Sequence, residues 1–301
     1  MDAFTREYYE LRFKVAFMER KADEFQDFFS GIMERRYPAD FFRVRPWGKL
    51  GDWKNDGYLR SKRTLFQSYA PNEMSAAECL AKVDDDFNGA LPHWKEHFGT
   101  WVLVHNSREG LGPEVTKKLL DLGKANSPLQ VTQWGFAELR AEAMALTQED
   151  LASVLGPMPS REGMINLGLQ DLVPVLDQIA RMAPVGIPDL RPVPADKLQR
   201  NLLSGTVEEL LRLGMSRSDL VRKYFSLKPT LQDQVAESFR SKYRELRATS
   251  AAPDNIFGAL QRFAGGDVVP SPAVQNAVLA VVAFFFEECD IFERPEPRSQ
   301  S

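Results

Sequence analysis

Gly51-Asp52-Trp53-Lys54-Asn55-Asp56-Gly57-Tyr58, followed after a short gap by Leu65-Phe66-Gln67-Ser68-Tyr69, is the stretch from which the fold of this chain is read. Gly51 and Gly57, with Asp and Asn between them, make a tight turn. Glycine accepts left-handed backbone angles, and Asp and Asn bond their own backbone. Tyr58-Leu59 and residues 64–69 then read as two strands flanking the basic turn Arg60-Ser61-Lys62-Arg63. Gln67 stands in the second strand between Phe66 and Ser68, where a buried amide needs a partner. Asp56, at the mouth of the first strand, and Gln67, on its neighbour, are set at hairpin distance. Asp52 reads as the turn residue of the pair of aspartates.

Upstream, residues 8–36 carry Phe13, Phe17, Phe25, Phe28, Phe29, Ile32 and Met33 at helical spacing, with a break near Arg20-Lys21-Ala22-Asp23 and a stop at Pro38. Residues 41–44 can extend as a strand. Downstream, 75–94 reads as a helix with an acidic face at Asp84-Asp85-Asp86. Residues 100–105 form a nearly continuous apolar run, the pattern of a strand covered on both faces. A helix over 113–124 and a strand over 129–134 follow. This order predicts an α/β domain with a mixed sheet. Gly156-Pro157-Met158-Pro159 marks a boundary, and beyond a proline-rich loop at 184–194 the chain reads as helix after helix to a polar tail at 295–301. The expected domains are therefore 1–157, α/β, and 158–301, all-helical.

Composition narrows the function classes. The chain has 301 residues, 44% hydrophobic and 27% charged, with a net charge of -4. That charge argues against a protein coating nucleic acid over its whole surface, though not against a local basic patch. Such a patch exists: residues 34–63 hold nine cations against four acids, with Trp47 and Trp53 interleaved. Arg43, Arg45, Lys49, Arg60 and Arg63 are its candidate phosphate contacts. Cys79 and Cys289 read as buried reduced thiols, and the start of the chain lacks a signal-peptide pattern, so a cytoplasmic protein is expected. The longest apolar run, 277–286, is about half a membrane span. His93 and His97 lack the acidic companions of a zinc site. No Gly-rich phosphate loop with its lysine appears, so this chain is not itself an ATPase.

Phosphodiester hydrolysis needs an activated water and neutralised phosphate charge, which carboxylate-held Mg²⁺ supplies. Phe25-Gln26 on a helix, Asp56-Gly57 at a strand mouth and Gln67-Ser68-Tyr69 on the next strand resemble the PD-(D/E)XK restriction-endonuclease-like fold, in its Mrr-type branch, over roughly residues 10–150. The resemblance implies a DNA nuclease using Mg²⁺ or Mn²⁺, with Asp56 and Gln67 as metal-binding and catalytic residues. Two positions depart from the pattern: Gln26 stands where a Glu is usual, and Tyr69 where the catalytic Lys is usual. Lys54 or Lys62 is then expected to supply the missing cation. Glu24 is the candidate replacement acid, although two residues turn it about 200° around the helix.

A second resemblance lies further on. Tyr224-Phe225-Ser226-Leu227-Lys228-Pro229 and Phe284-Phe285-Phe286-Glu287-Glu288-Cys289-Asp290-Ile291-Phe292-Glu293 are similar to the C-terminal helical domains of bacterial ABC-three component defence systems. Arg45-Pro46-Trp47-Gly48 and Phe66-Gln67-Ser68-Tyr69-Ala70-Pro71 also resemble their nuclease-like effector domains. That likeness implies an antiphage effector, DNA as its target, an ABC-type ATPase and a small middle subunit as partners, a homo- or hetero-oligomer, and no membrane. The alternative is a catalytically degenerate nuclease fold that binds DNA or organises the assembly. A nuclease silent until assembled is a third possibility.

Overall fold

The computed structural model describes residues 1–45, 53–181, 197, 201–249, 251–265, 271–288 and 290–292. Trp47, Lys49, Asp52, Cys289, the 184–194 stretch and the 295–301 tail, all singled out in the sequence, lie outside them. By packing, the chain divides into Ala16–Val154 and a second unit made of Met1–Val15 with Leu155–Ser301. The boundary expected at 157/158 stands beside this division at 154/155, with the first fifteen residues grouped in the second unit.

The first unit is built on one five-stranded sheet of β1 (Phe41–Arg43), β2 (Gly57–Leu59), β3 (Thr64–Tyr69), β4 (Thr100–His105) and β5 (Gln130–Trp134), in that spatial order. The first three strands are antiparallel neighbours and the last three run parallel, so the sheet is mixed as the sequence predicts. Parallel neighbours need crossovers, and α3 (Ala76–Trp94) and α4 (Pro113–Ala125) supply them. Ser75 caps α3 by accepting a bond from the Glu78 N–H, and a proline occupies the first turn of α4. Helix α1 (Ala3–Glu19) gives way to α2 (Ala22–Arg36) at the expected break. The Ala22 N–H there bonds the Ala70 carbonyl just past β3, at 2.7 Å.

Strand β3 separates two cores. Leu65 faces Cys79, Val83, Phe87 and Ala90 of α3 and Val115 and Leu119 of α4, together with Trp101 and Leu103 of β4. Phe66 points the other way, against Phe29 of α2 (ring centroids 5.3 Å), Phe41 (6.2 Å) and Trp134 (4.9 Å). Helix α5 (Phe136–Met144) follows β5, and α6 (Gln148–Leu155) closes the α/β part of the chain. This period-two alternation with both faces covered explains why β3 and β4 read as apolar runs.

The second unit is helical: α7 (Arg161–Ile165), α8 (Leu169–Arg181), α9 (Gly205–Met215), α10 (Ser218–Ser226), α11 (Pro229–Ala248), α12 (Pro253–Gly265) and α13 (Pro272–Glu287). Every residue of α13 from Gln275 to Phe286 is buried, and from Ala277 onward all are apolar, as a helix enclosed on every side requires. The three consecutive phenylalanines are core residues: Phe284 and Phe285 pack on Phe225, Phe285 on Phe239, and Phe286 on Phe292. Buried Lys197 donates to the Phe286 and Ile291 carbonyls, both at 2.6 Å, and so holds the end of α13. Among the described residues no helix is long and apolar enough to cross a membrane.

Helix α9 approaches α13 at Gly214, where an added Cβ would lie 2.6 Å from the Leu279 carbonyl oxygen and from the Ala283 Cβ. Backbone cannot yield as a flexible side chain can. Gly214→Ala is expected to cost about 1–3 kcal/mol, while Gly99→Ala, with open space around it, stays within about 0.5 kcal/mol. Urea unfolding midpoints of the two variants check the contrast.

Candidate functional site

Asp56 is positioned by a local irregularity. Gly57 is the register partner of Phe66, yet the Asp56 N–H also bonds the Phe66 carbonyl, at 3.0 Å. Two residues opposing one is the pattern of a bulge, a device that re-aims a side chain. The Asp56 carbonyl accepts from the Val44 N–H (3.3 Å), continuing the ladder to the β1 side. Just before it, Asn55 forms the expected turn, its Oδ1 accepting from the Gly57 N–H at 2.9 Å. Trp53 and Lys54 are left-handed at φ 53° and 59°, an unusual pair for non-glycine residues and one that marks a constrained approach.

The Asp56 carboxylate is 5% exposed and bonded on both oxygens. Gln26 Nε2 of α2 donates to Oδ1 at 2.8 Å, and the Ser68 N–H donates to Oδ2 at 2.7 Å. Around it, polar atoms are buried without a hydrogen-bond partner: Asn55 Nδ2, Gln67 Oε1, Ser68 Oγ and Arg43 Nε. Buried polar groups are nearly always satisfied, so these four retain donor or acceptor capacity that a water or another polar partner would use. Gln67, by alternation, shares the face of Leu65 and Tyr69.

The other expected residues are distributed as follows. Lys54 pairs with Asp85 and with Asp86 (3.3 Å) of α3, and its bond to Asp85 raises its pKa. Lys62 lies by Tyr37, 3.4 Å from its hydroxyl and 5.2 Å from the ring centroid. Glu24 is exposed on α2, and Gln26, one face round, is the helix residue that reaches Asp56. Tyr69 packs against the α3 core, and burial raises the pKa of its phenol. Arg43 and Arg45 both pair with Oδ1 of Asp27, the residue after Gln26. Arg60 pairs with Asp40 at 3.7 Å and lies over the Phe42 ring. Arg63 donates to the carbonyls of Glu96 (2.8 Å) and His97 (3.2 Å). The structure thus brings together Gln26, Asp56 and Ser68, with Asp27, Arg43 and Arg45 beside them. It gives Lys54, Lys62, Arg60 and Arg63 other partners.

His105 was not a candidate in the sequence, yet it ends β4 beside Tyr69 at the carboxyl end of the parallel strands, where α/β sheets commonly bind ligands. Its Nδ1 accepts from the Ser107 N–H (3.2 Å), so the proton sits on Nε2, which donates to Gln133 Oε1 (2.8 Å). Burial pushes its pKa down, against the opposing effects of the Gln133 bond and the Glu138 charge.

Among the described residues no three His, Cys, Asp or Glu side chains group as metal ligands. The Asp56 carboxylate and the orphaned Gln67 amide oxygen are the oxygens on offer. A hard cation bound by the Asp56 carboxylate would keep most of its waters and take further oxygens from phosphate.

Residues 170–293 match the family model described as C-terminal domain 10 of the ABC-three component (ABC-3C) systems. No curated protein and no solved structure gives a significant match.

Two outcomes follow from this geometry. Gln26→Glu removes the donor to Asp56 and sets a second carboxylate against it, so melting temperature falls without divalent cation and recovers with Mn²⁺. A thermal shift unaffected by Mn²⁺ would argue against cation binding there. For His105, the folded pKa lies below the unfolded value of about 6.5. On acidification the unfolded chain protonates first, so this residue's share of stability is lost as pH falls through that range. Unfolding free energy measured between about pH 7.5 and 5.5 should decline, and His105→Gln should flatten the slope.

Proposed function

We propose that the chain is a nuclease-type effector subunit of a bacterial antiphage defence system of the ABC-three component kind, its α/β unit being a restriction-endonuclease-like domain that cuts DNA. The observation that carries this reading is the Asp56 carboxylate, held by Gln26 and the Ser68 N–H amid unpartnered polar atoms of Asn55, Gln67, Ser68 and Arg43. The order α2-β1-β2-β3-α3-β4 supports it, as does the ABC-3C match of residues 170–293. An ABC-type ATPase and a small middle subunit are the expected partners, with control of cleavage by the ATPase.

In this reading Asp56 and Gln67 hold Mg²⁺ or Mn²⁺. When bound, the cation lowers the pKa of a coordinated water and neutralises phosphate charge. Gln26 and the Ser68 N–H fix the orientation of the carboxylate. Arg43 and Arg45 would contact the phosphate backbone.

The second reading, a degenerate nuclease fold that binds DNA or organises the assembly, rests on a specific contact. Gln26 donates an uncharged amide N–H to Asp56 Oδ1 where a second carboxylate would share a cation, and Tyr69 belongs to the core.

Purified protein, alone and with co-expressed ATPase and middle subunits, is incubated with plasmid DNA and Mg²⁺ or Mn²⁺. Metal-dependent nicking or linearisation that falls at least about 100-fold in Asp56→Ala is the expected result. DNA binding that weakens with salt, without cleavage in any combination, selects the second reading.

A further inference from the structure

Neither Tyr69 nor the two lysines offered in its stead stands ready as the site's cation. Tyr69 packs in the α3 core, Lys54 pairs with two α3 carboxylates, and Lys62 rests on Tyr37. We infer that Arg43, aligned by Asp27, is the cationic group that meets the scissile phosphate, the role a lysine holds elsewhere in nuclease folds of this kind; the inference rests on the nuclease reading above.

Arg43 is the last residue of β1 and pairs in register with Gly57, next to Asp56. Its successor, Val44, donates its N–H to the Asp56 carbonyl. The side chain is 23% exposed and its Nε is buried with no hydrogen-bond partner. A guanidinium presents five donors in a rigid fork and stays charged under all ordinary conditions. Asp27 takes one arm of that fork, which leaves the Nε edge as an unspent donor. Asp27 also follows Gln26, whose amide bonds Asp56, so one turn of α2 fixes both the carboxylate and the guanidinium.

Asp27 Oδ1 accepts from both Arg43 and Arg45, so two guanidiniums share one carboxylate. In hydrolysis, water oxygen forms a bond to phosphorus while the bond to one bridging oxygen breaks. One water proton ends on the departing alkoxide and the other leaves to solvent. Negative charge concentrates on the non-bridging oxygens in passing, and a preset N–H donor there stabilises that state more than the ground state. Arg45, 58% exposed, is suited to gripping the flanking backbone.

The test uses the full chain with its partner subunits for cleavage and the full chain alone for anion binding. Arg43→Ala is expected to lower kcat about 100-fold or more, with the KM for plasmid DNA changing less than about tenfold. Arg45→Ala should do the reverse, and Arg43→Lys, which keeps a charge should the alanine variant fold poorly, should recover part of the rate. Calorimetric titration with inorganic pyrophosphate supplies a readout free of chemistry: Arg43→Ala weakens binding at least about tenfold, while Arg161→Ala, on the helical unit, leaves it unchanged. Absence of cleavage by the wild type with Arg43-dependent pyrophosphate binding intact would sink the nuclease reading and keep the anion site. Arg43→Ala cleaving within about threefold of wild type, or pyrophosphate binding indifferent to Arg43, overturns the inference itself.

Discussion

Strand β3 is buried on both faces, and the organisation of the α/β unit follows from that constraint. Leu65 and Phe66 are adjacent, fully buried and oppositely directed. A strand in this position needs cover on each side, so α2 covers Phe66 while α3 and α4 cover Leu65. The covering also decides the directions of the neighbours. A parallel β4 is reached only by a crossover, and α3 is that crossover. An antiparallel β2 needs only the short basic turn. The sheet is mixed because β3 accepts one kind of neighbour on each edge.

The same constraint creates the site. Toward its end β3 runs out of apolar residues: Gln67 and Ser68 follow Phe66 while the strand is still enclosed. Their side chains leave the strand on opposite faces, and the Asp56 carboxylate meets the Ser68 N–H from the next strand. Enclosure raises the cost of every unpaired group and the strength of every pairing. The Ser68 N–H to Asp56 bond answers part of that cost and Gln26 answers more. Asn55 Nδ2, Gln67 Oε1 and Ser68 Oγ remain unanswered. A surface built only for stability would have apolar side chains here, since replacing unmatched polar groups by apolar ones of similar shape costs little.

Much of the fold was legible because its signals are local. Pro113 and Ser271-Pro272 open helices, Ser75 caps one, and the apolar run of β4 announces a covered strand. The neighbouring strands that carry Asp56 and Gln67 were legible because hairpin spacing is itself a local rule. What sequence could not reveal is which lysine meets which acid. Lys54 stands two residues from Asp56 along the chain, yet its ammonium finds Asp85 and Asp86, some thirty residues away, because α3 passes beneath the turn. Helices α5 and α6, of nine and eight residues, hold too few turns to display a period. His105 looked like one more position in an apolar run, and only the Gln133 and Ser107 contacts distinguish it. Lys197 followed a proline-rich stretch and gave no sign that it would bind the end of α13.

Charge pairing resolves the basic window between residues 34 and 63 into parts with different duties. Arg60 and Arg63 are tied to Asp40 and to the carbonyls of Glu96 and His97, so they brace the β2–β3 turn. Lys54 fastens the approach to Asp56 onto α3, where two left-handed residues require an anchor. Arg43 and Arg45 are different in kind, because two cations converge on a single carboxylate oxygen. An excess of nine cations over four acids, counted along the chain, is therefore a poor measure of the phosphate-binding surface. On the nuclease reading, the carboxylate and the guanidinium held by consecutive residues of one helix are the two groups that a cation and a phosphodiester would engage.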